Sequence, residues 1–228
     1  MDASVRDAIV REVRDRFSGD SGGHDIEHTF RVVRNAMHIS SIEGGDADVI
    51  ELAALLHDTD DRKLFGDTHG ECPFARSVME NRFSDDTIEH VVSIINSVSF
   101  KGRDTKAPDT LEGRIVQDAD RLDAIGAVGI ARAFAYGGSR GRRMYDPSDR
   151  PRTDMDAETY FSNTGTTINH FYEKLLLLKD MMNTDTGRSM AERRHTFMES
   201  FLDEFYREWD GEQVPKRRSG VLSDVQGK

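Results

Sequence analysis

An imidazole and a carboxylate stand side by side at His57-Asp58, directly after the apolar run Leu52-Ala53-Ala54-Leu55-Leu56 and just before two further acids, Asp60 and Asp61. An apolar helix drives itself into a core, so a His-Asp pair at its end is carried inside the fold or to the rim of a cleft. Buried acids are costly unless they are paired or bound to a metal. One ring nitrogen and one carboxylate make half of a mixed nitrogen–oxygen metal site. For the other half, His28 lies upstream, early in a helical pattern and beside its apolar stripe. Downstream, Asp118, Asp120 and Asp123 punctuate a segment that otherwise reads as core. Two imidazoles and two carboxylates gathered from three helices would suit Mn²⁺, Mg²⁺, Fe²⁺, Co²⁺ or Ni²⁺ better than a structural zinc. Helical periodicity sets Asp118 and Asp123 at the flanks of the apolar stripe and Asp120 further round.

The elements that must position these residues are helical. Val5, Ile9, Val13 and Phe17 recur at helical spacing and predict a first helix, ended by the stretch Ser18 to Gly23. A second begins near Asp25, with Ile26, Phe30, Val33, Met37 and Ile42 inward, and stops at Gly44-Gly45. A third runs from Asp48 to Asp58. Residues 59–73 read as a loop, broken by Gly66, Gly70 and Pro73. A short helix from Phe74 to Asn81 follows. Ser84 or Asp85 then caps another, with Ile88, Val91, Val92 and Ile95 inside. After a polar break at 99–109, Thr110 caps a helix that runs to about residue 136, with Leu111, Ile115, Val116, Ala119 and Leu122 inward. Gly126 and Gly129 keep that side smooth. Residues 137–154 form a long loop carrying Arg140, Arg142, Arg143, Arg150 and Arg152. Helical spacing returns near Ala157, with Ile168, Phe171, Leu175 and Leu178, and a last helix spans Gly187 to Trp209. No strand pattern is present. The expected fold is all-α: one bundle-like domain over 1–210, its motif region at 20–130 and a helical C-terminal part at 155–210. Residues 211–228 read as a polar, disordered tail.

Composition narrows the function classes. Of 228 residues, 36% are hydrophobic and 32% charged, which gives a core beneath a very polar surface. The net charge of −11 argues against a general nucleic-acid binder. A single cysteine, Cys72, precludes an internal disulfide and fits a reducing compartment. With no apolar signal region at Met1 to Asp7 and no run long enough to span a membrane, a cytoplasmic location is expected.

The order His … His-Asp … Asp on successive helices resembles the HD-domain superfamily of metal-dependent phosphohydrolases, over about residues 20–130. Ser99-Phe100-Lys101-Gly102, the stretch Asp118 to Gly126, and His170-Phe171-Tyr172-Glu173-Lys174-Leu175 are similar to a branch of small bacterial and archaeal HD hydrolases, which extends the resemblance over nearly the whole chain. It implies that His28, His57 and Asp58 hold one divalent metal (Mn, Mg, Co, Ni, Fe or Zn). The Ala119-Asp120-x-Leu122 pattern points to Asp120 as fourth ligand, with Asp118 the runner-up. The acid three residues beyond Asp58, Asp61, is implied to be catalytic. Lys63, Lys101, His170 and Lys174 are implied to bind a phosphorylated substrate. A second pair of histidines, as two-metal branches use, is not evident. The implied activity is hydrolysis of a small phosphorylated metabolite, a nucleotide by preference, of pyrophosphatase or phosphatase type. The alternative is a non-enzymatic metal- or nucleotide-binding HD signalling module.

Blander readings apply elsewhere. His38, His90 and His195 read as satisfied core residues, and Asp60 as a solvated acid. Arg31 and Arg34 are either surface charges or partners of the acids. The arginine loop is either solvated or closes over substrate.

Overall fold

The computed structural model describes residues 1–18, 26–98, 106–152 and 165–211, without the side chains of Arg62 and Lys63. In chain order the helices are α1 (Ala3–Arg16), α2 (Ile26–Glu43), α3 (Ala47–Leu56), α4 (Arg62–Phe65), α5 (Pro73–Met79), α6 (Asp85–Val98), α7 (Leu111–Asp123), α8 (Gly126–Ser139), α9 (Thr167–Glu173) and α10 (Asp185–Trp209). A 3₁₀ segment, Leu175–Met181, joins the last two. Among the described residues there is no strand, and no helix is long and apolar enough to cross a membrane.

The most apolar helix is the innermost. Val49, Ile50 and the whole of Leu52 to Leu56 on α3 are buried, and Asp46 caps its N-terminus through the amides of Asp48 and Val49. Helices apolar all round belong in a core. Around α3 pack α2, α6 and α7; α2 also packs along α7, and α10 lies against α7 and α8. The inner stripes are those expected from periodicity: Ile9 and Val13 on α1, Val91 and Ile95 on α6, Ile115, Val116, Ala119 and Leu122 on α7. Leucines at such positions cost about 2–5 kcal/mol when cut to alanine.

Several boundaries differ from the expectation, each for a local reason. The helix expected over 110–136 is two helices. Gly126 sits at φ +78°, which ends α7 and starts α8 at a new angle. The expected loop at 59–73 contains the single turn α4, closed by bonds from the amides of Leu64 and Phe65 to the Asp61 carbonyl. Ile42 is 62% exposed, because the inner face of α2 ends at Ile39 and Ser40. The arginine-rich stretch is anchored over its described part. The Tyr145 ring meets those of Phe205, Tyr206 and Trp209 at 5.3–6.0 Å. The amides of Thr167 and Ile168 bond the carbonyls of Arg143 and Met144, and Glu173 accepts from the amide of Arg152. Arg140 and Arg142 lie over Tyr136, and Arg143 pairs with Asp146. Residues 140–152 are therefore a strapped loop. The expected helical return near 157 and the tail beyond residue 211 lie outside the described residues.

Candidate metal centre

Three helices bring the predicted donors together. His28 comes from the first turn of α2, His57 is the C-cap of α3 with Asp58 next to it, and Asp120 projects from α7. His28, His57 and Asp58 each offer an atom within 4.8 Å of the others. Nε2 of His28 lies 3.2 Å from Nε2 of His57. Oδ2 of Asp58 is 3.4 Å from each ring nitrogen, and Oδ1 of Asp120 is 3.4 Å from His28 and 3.9 Å from His57. Both rings are buried, whereas the Asp58 and Asp120 side chains keep 15% and 30% of their exposure, so the group opens to solvent on its carboxylate side.

The far side of each ring determines what that convergence means. Nδ1 of His57 lies 2.9 Å from the Ala54 carbonyl, an acceptor, so it carries the proton. Nδ1 of His28 lies 2.7 Å from Asp123, another acceptor, and carries one as well. With those tautomers both Nε2 atoms present lone pairs to one another and to two carboxylates. With the Nε2 atoms unprotonated, four acceptor atoms face inward. A cation at their centre suits the set, and two imidazoles with two carboxylates fit a divalent transition ion. A proton answers the same field: burial opposes charge on His57, but Asp58 and then Asp120 outweigh it and push its pKa up to about 9. His28 is raised too, burial being overcome by Asp123 and Asp58.

Asp123 is the residue that sequence reasoning undervalued. Besides His28, it accepts from Arg31 through Nε at 2.7 Å and Nη2 at 3.1 Å, and from Arg132 at 2.6 Å. Burial disfavours its charge, yet His28, Arg31 and Arg132 together hold its carboxyl well below the usual carboxylate range. Arg31 is thus a partner of an acid and not a free surface charge. The sequence carries only the spacing, Asp120 and Asp123 being three apart on one face of a helix; that they address opposite edges of the same imidazole is set by the packing of α2.

Asp118 is engaged elsewhere. It is fully buried and accepts from the amides of Asn183 and Thr184, from Asn183 Nδ2 and from Thr184 Oγ1, all at 2.8–2.9 Å. It ties α7 to the start of α10. Asp60, expected to be solvated, is 8% exposed and caps α5 through the amides of Phe74 and Ala75. An acid at a helix N-terminus meets unpaired amides and a favourable dipole.

Asp61 is half-buried at the entry to α4, three residues from Asp58. Lys63 lies on α4, its side chain outside the description, and Lys101 lies outside the described residues. His170 on α9 and Lys174 at its C-cap are half-buried, and α9 packs on α8. His38 is exposed. His90 and His195 each keep one buried ring nitrogen without a hydrogen-bond partner among the described residues, so these three are not the satisfied core histidines expected.

Comparison with known proteins gives the family. A family model described as the HD domain matches residues 25–125. The Bacillus subtilis protein YpgQ is 38% identical over 208 residues, spanning 87% of this chain and 91% of the relative. A crystal structure of YpgQ in complex with ADP superimposes with a TM-score of 0.71 at 36% identity, covering 90% of this chain and 98% of that one. A Lactobacillus plantarum structure matches with a TM-score of 0.81 at 38% identity, covering 92% and 98%. An HD-superfamily hydrolase from Bacillus thuringiensis matches with a TM-score of 0.70 at 40% identity, covering 91% and 97%. The helical order, the converging His-His-Asp cluster and these relatives place the chain in the HD-domain superfamily of hydrolases.

Proposed function

We propose that the protein is a metal-dependent phosphohydrolase acting on a small phosphorylated metabolite, a nucleotide by preference, at a pyrophosphate or phosphomonoester bond. The observation that carries this reading is the inward convergence of Nε2 of His28 and His57 and the carboxylates of Asp58 and Asp120. These four would hold one divalent ion. Such an ion lowers the pKa of its bound water and polarises a phosphoryl oxygen. The ADP seen on YpgQ supports a nucleotide as ligand.

The chain's own residues have separate tasks in this scheme. His28 and His57 are fixed in their metal-facing tautomers by Asp123 and by the Ala54 carbonyl. Asp61 is the general base: it takes the proton of the attacking water from the open, carboxylate side of the cluster. Lys63, Lys101, His170 and Lys174 supply positive charge to the phosphates.

The test is a panel of the common ribo- and deoxyribonucleoside mono-, di- and triphosphates, with Mn²⁺, Mg²⁺, Co²⁺ and Ni²⁺ supplied in turn, phosphate and nucleotide products being resolved by chromatography. Turnover that disappears with chelator and in His57→Ala supports the reading. Metal-loaded protein that binds nucleotides tightly and turns none over overturns it in favour of a binding module.

A further inference from the structure

We propose that Arg16, in the last turn of α1, is a positioning residue for Asp61. The inference rests on the reading of Asp61 as general base. Asp61 stands in a short stretch with little regular structure of its own. Its amide bonds the Asp58 carbonyl at 3.1 Å, and its carbonyl receives the amides of Leu64 and Phe65 at 3.1 and 2.9 Å. The α4 turn thus begun spans four residues. A single turn does not hold itself, because the entropy of fixing it exceeds what its few bonds return. The direction of Asp61 therefore depends on outside supports.

Those supports converge on one guanidinium. Nε of Arg16 donates to the carbonyl of Thr59 at 3.1 Å. Its guanidinium carbon lies 3.7 Å from the Phe65 ring centroid and 4.8 Å from that of Phe74. Phe17, the next residue along, meets Phe65 edge-on at 5.9 Å. Thr59 is fully buried and bonds back to the Leu56 carbonyl. Arg16 thereby grips the chain two residues before Asp61, at Thr59, and four residues after it, at Phe65. The Asp60 carboxylate adds a third hold on α5, whose first residues include Phe74. A planar cation that bonds through its edge and stacks through its face can join both sides of Asp61; a lysine ammonium cannot do both.

The test uses the full-length protein with Mn²⁺ and the nucleoside triphosphate hydrolysed fastest in the panel above. Arg16→Ala should lower kcat about 10- to 100-fold through misplacement of the base, with KM and Mn²⁺ affinity within about threefold of the parent. Arg16→Lys should recover only part of the loss. Added to Asp61→Asn, Arg16→Ala should cost less than about threefold more, since the group it positions is already gone. Amide hydrogen exchange gives a readout that needs no turnover: Asp61, Leu64 and Phe65 should exchange faster in Arg16→Ala, and the amides of α2 and α7 should not. Should Arg16→Ala fail to fold, Phe65→Leu, which removes the stacked ring, must show the same kcat loss and exchange pattern. The proposal is overturned if Asp61→Asn is impaired while Arg16→Ala keeps its kcat, if the two losses multiply in full, or if exchange around Asp61 is unchanged. An Asp61→Asn variant with parental kcat refutes the base assignment itself, and this proposal with it.

Discussion

Replacing Asp123 with asparagine tests whether the metal-facing side of His28 is set from behind. The carboxylate receives Nδ1 of His28 at 2.7 Å, two donors of Arg31 and one of Arg132. Asparagine keeps the shape but loses the charge, and its NH₂ must face one of those donors. The imidazole then loses the acceptor that fixes its tautomer and strengthens its Nε2 as a ligand. Partners of this kind change metal affinity by about 10- to 100-fold, which is roughly 1.4–2.7 kcal/mol. Stability falls as well. Hydrogen bonds to charged groups are worth about 1.5–3 kcal/mol each. Arg31 and Arg132 keep 25% and 23% of their side-chain exposure, so water replaces part of that. A net loss of about 2–4 kcal/mol, or roughly 4–16 °C in Tm, is expected for the metal-free protein. Calorimetric titration with Mn²⁺ and a thermal melt on the same preparation read both quantities. An Asp123→Asn variant that binds Mn²⁺ as tightly as the parent would refute the claim that Asp123 prepares His28.

Exchanging the two neighbouring aspartates of α7 should give opposite outcomes. Asp118→Ala strips four hydrogen bonds from the start of α10 and should destabilise by about 3–5 kcal/mol in a denaturant titration, leaving metal stoichiometry intact. Asp120→Asn should keep the parental Tm and lose more than about tenfold in Mn²⁺ affinity, since partners behind the ligands alone can cost that much. Gly129→Ala should destabilise by at least about 1–3 kcal/mol in the same titration, because its new Cβ would fall 2.2 Å from the Ala124 carbonyl oxygen. Cys72 is 3% exposed, and burial, with the nearby charge of Asp60, pushes its thiol up to about 11. A folded thiol that titrates above its ordinary value stays protonated until the pH nears that value. Iodoacetamide at pH 8 should therefore leave the native protein unmodified and label one site after denaturation, as mass spectrometry would show.

The inner helices were legible because their stripes are long and regular: α3, α6 and α7 bury the residues that periodicity puts inward, apart from Leu111, which opens α7 and is 36% exposed. The convergence of His28, His57 and Asp58 was legible because His57-Asp58 ends the most apolar run in the chain, and a charge in that position needs a partner. What escaped depends on tertiary contact. Asp60 looks like one more acid in a polar loop until α5 is folded against it. Asp118 and Asp123 both flank an apolar stripe, and only the packing of α10 and α2 assigns one to a helix start and the other to a histidine. The arginine stretch reads as a free loop because the Tyr145 slot is built by α10, about sixty residues later in the chain. The break at Gly126 is a φ preference that a smooth apolar face conceals.

The central claim is that four acceptors on three helices close around one divalent ion. The most direct measurement is anomalous diffraction from a crystal of the full-length protein soaked in Mn²⁺. The account predicts one strong peak bounded by Nε2 of His28, Nε2 of His57 and the carboxylates of Asp58 and Asp120, with Asp118 still bonded to Asn183 and Thr184. A map with no peak among those four side chains, or a bound ion that recruits Asp118 in place of Asp120, would contradict it.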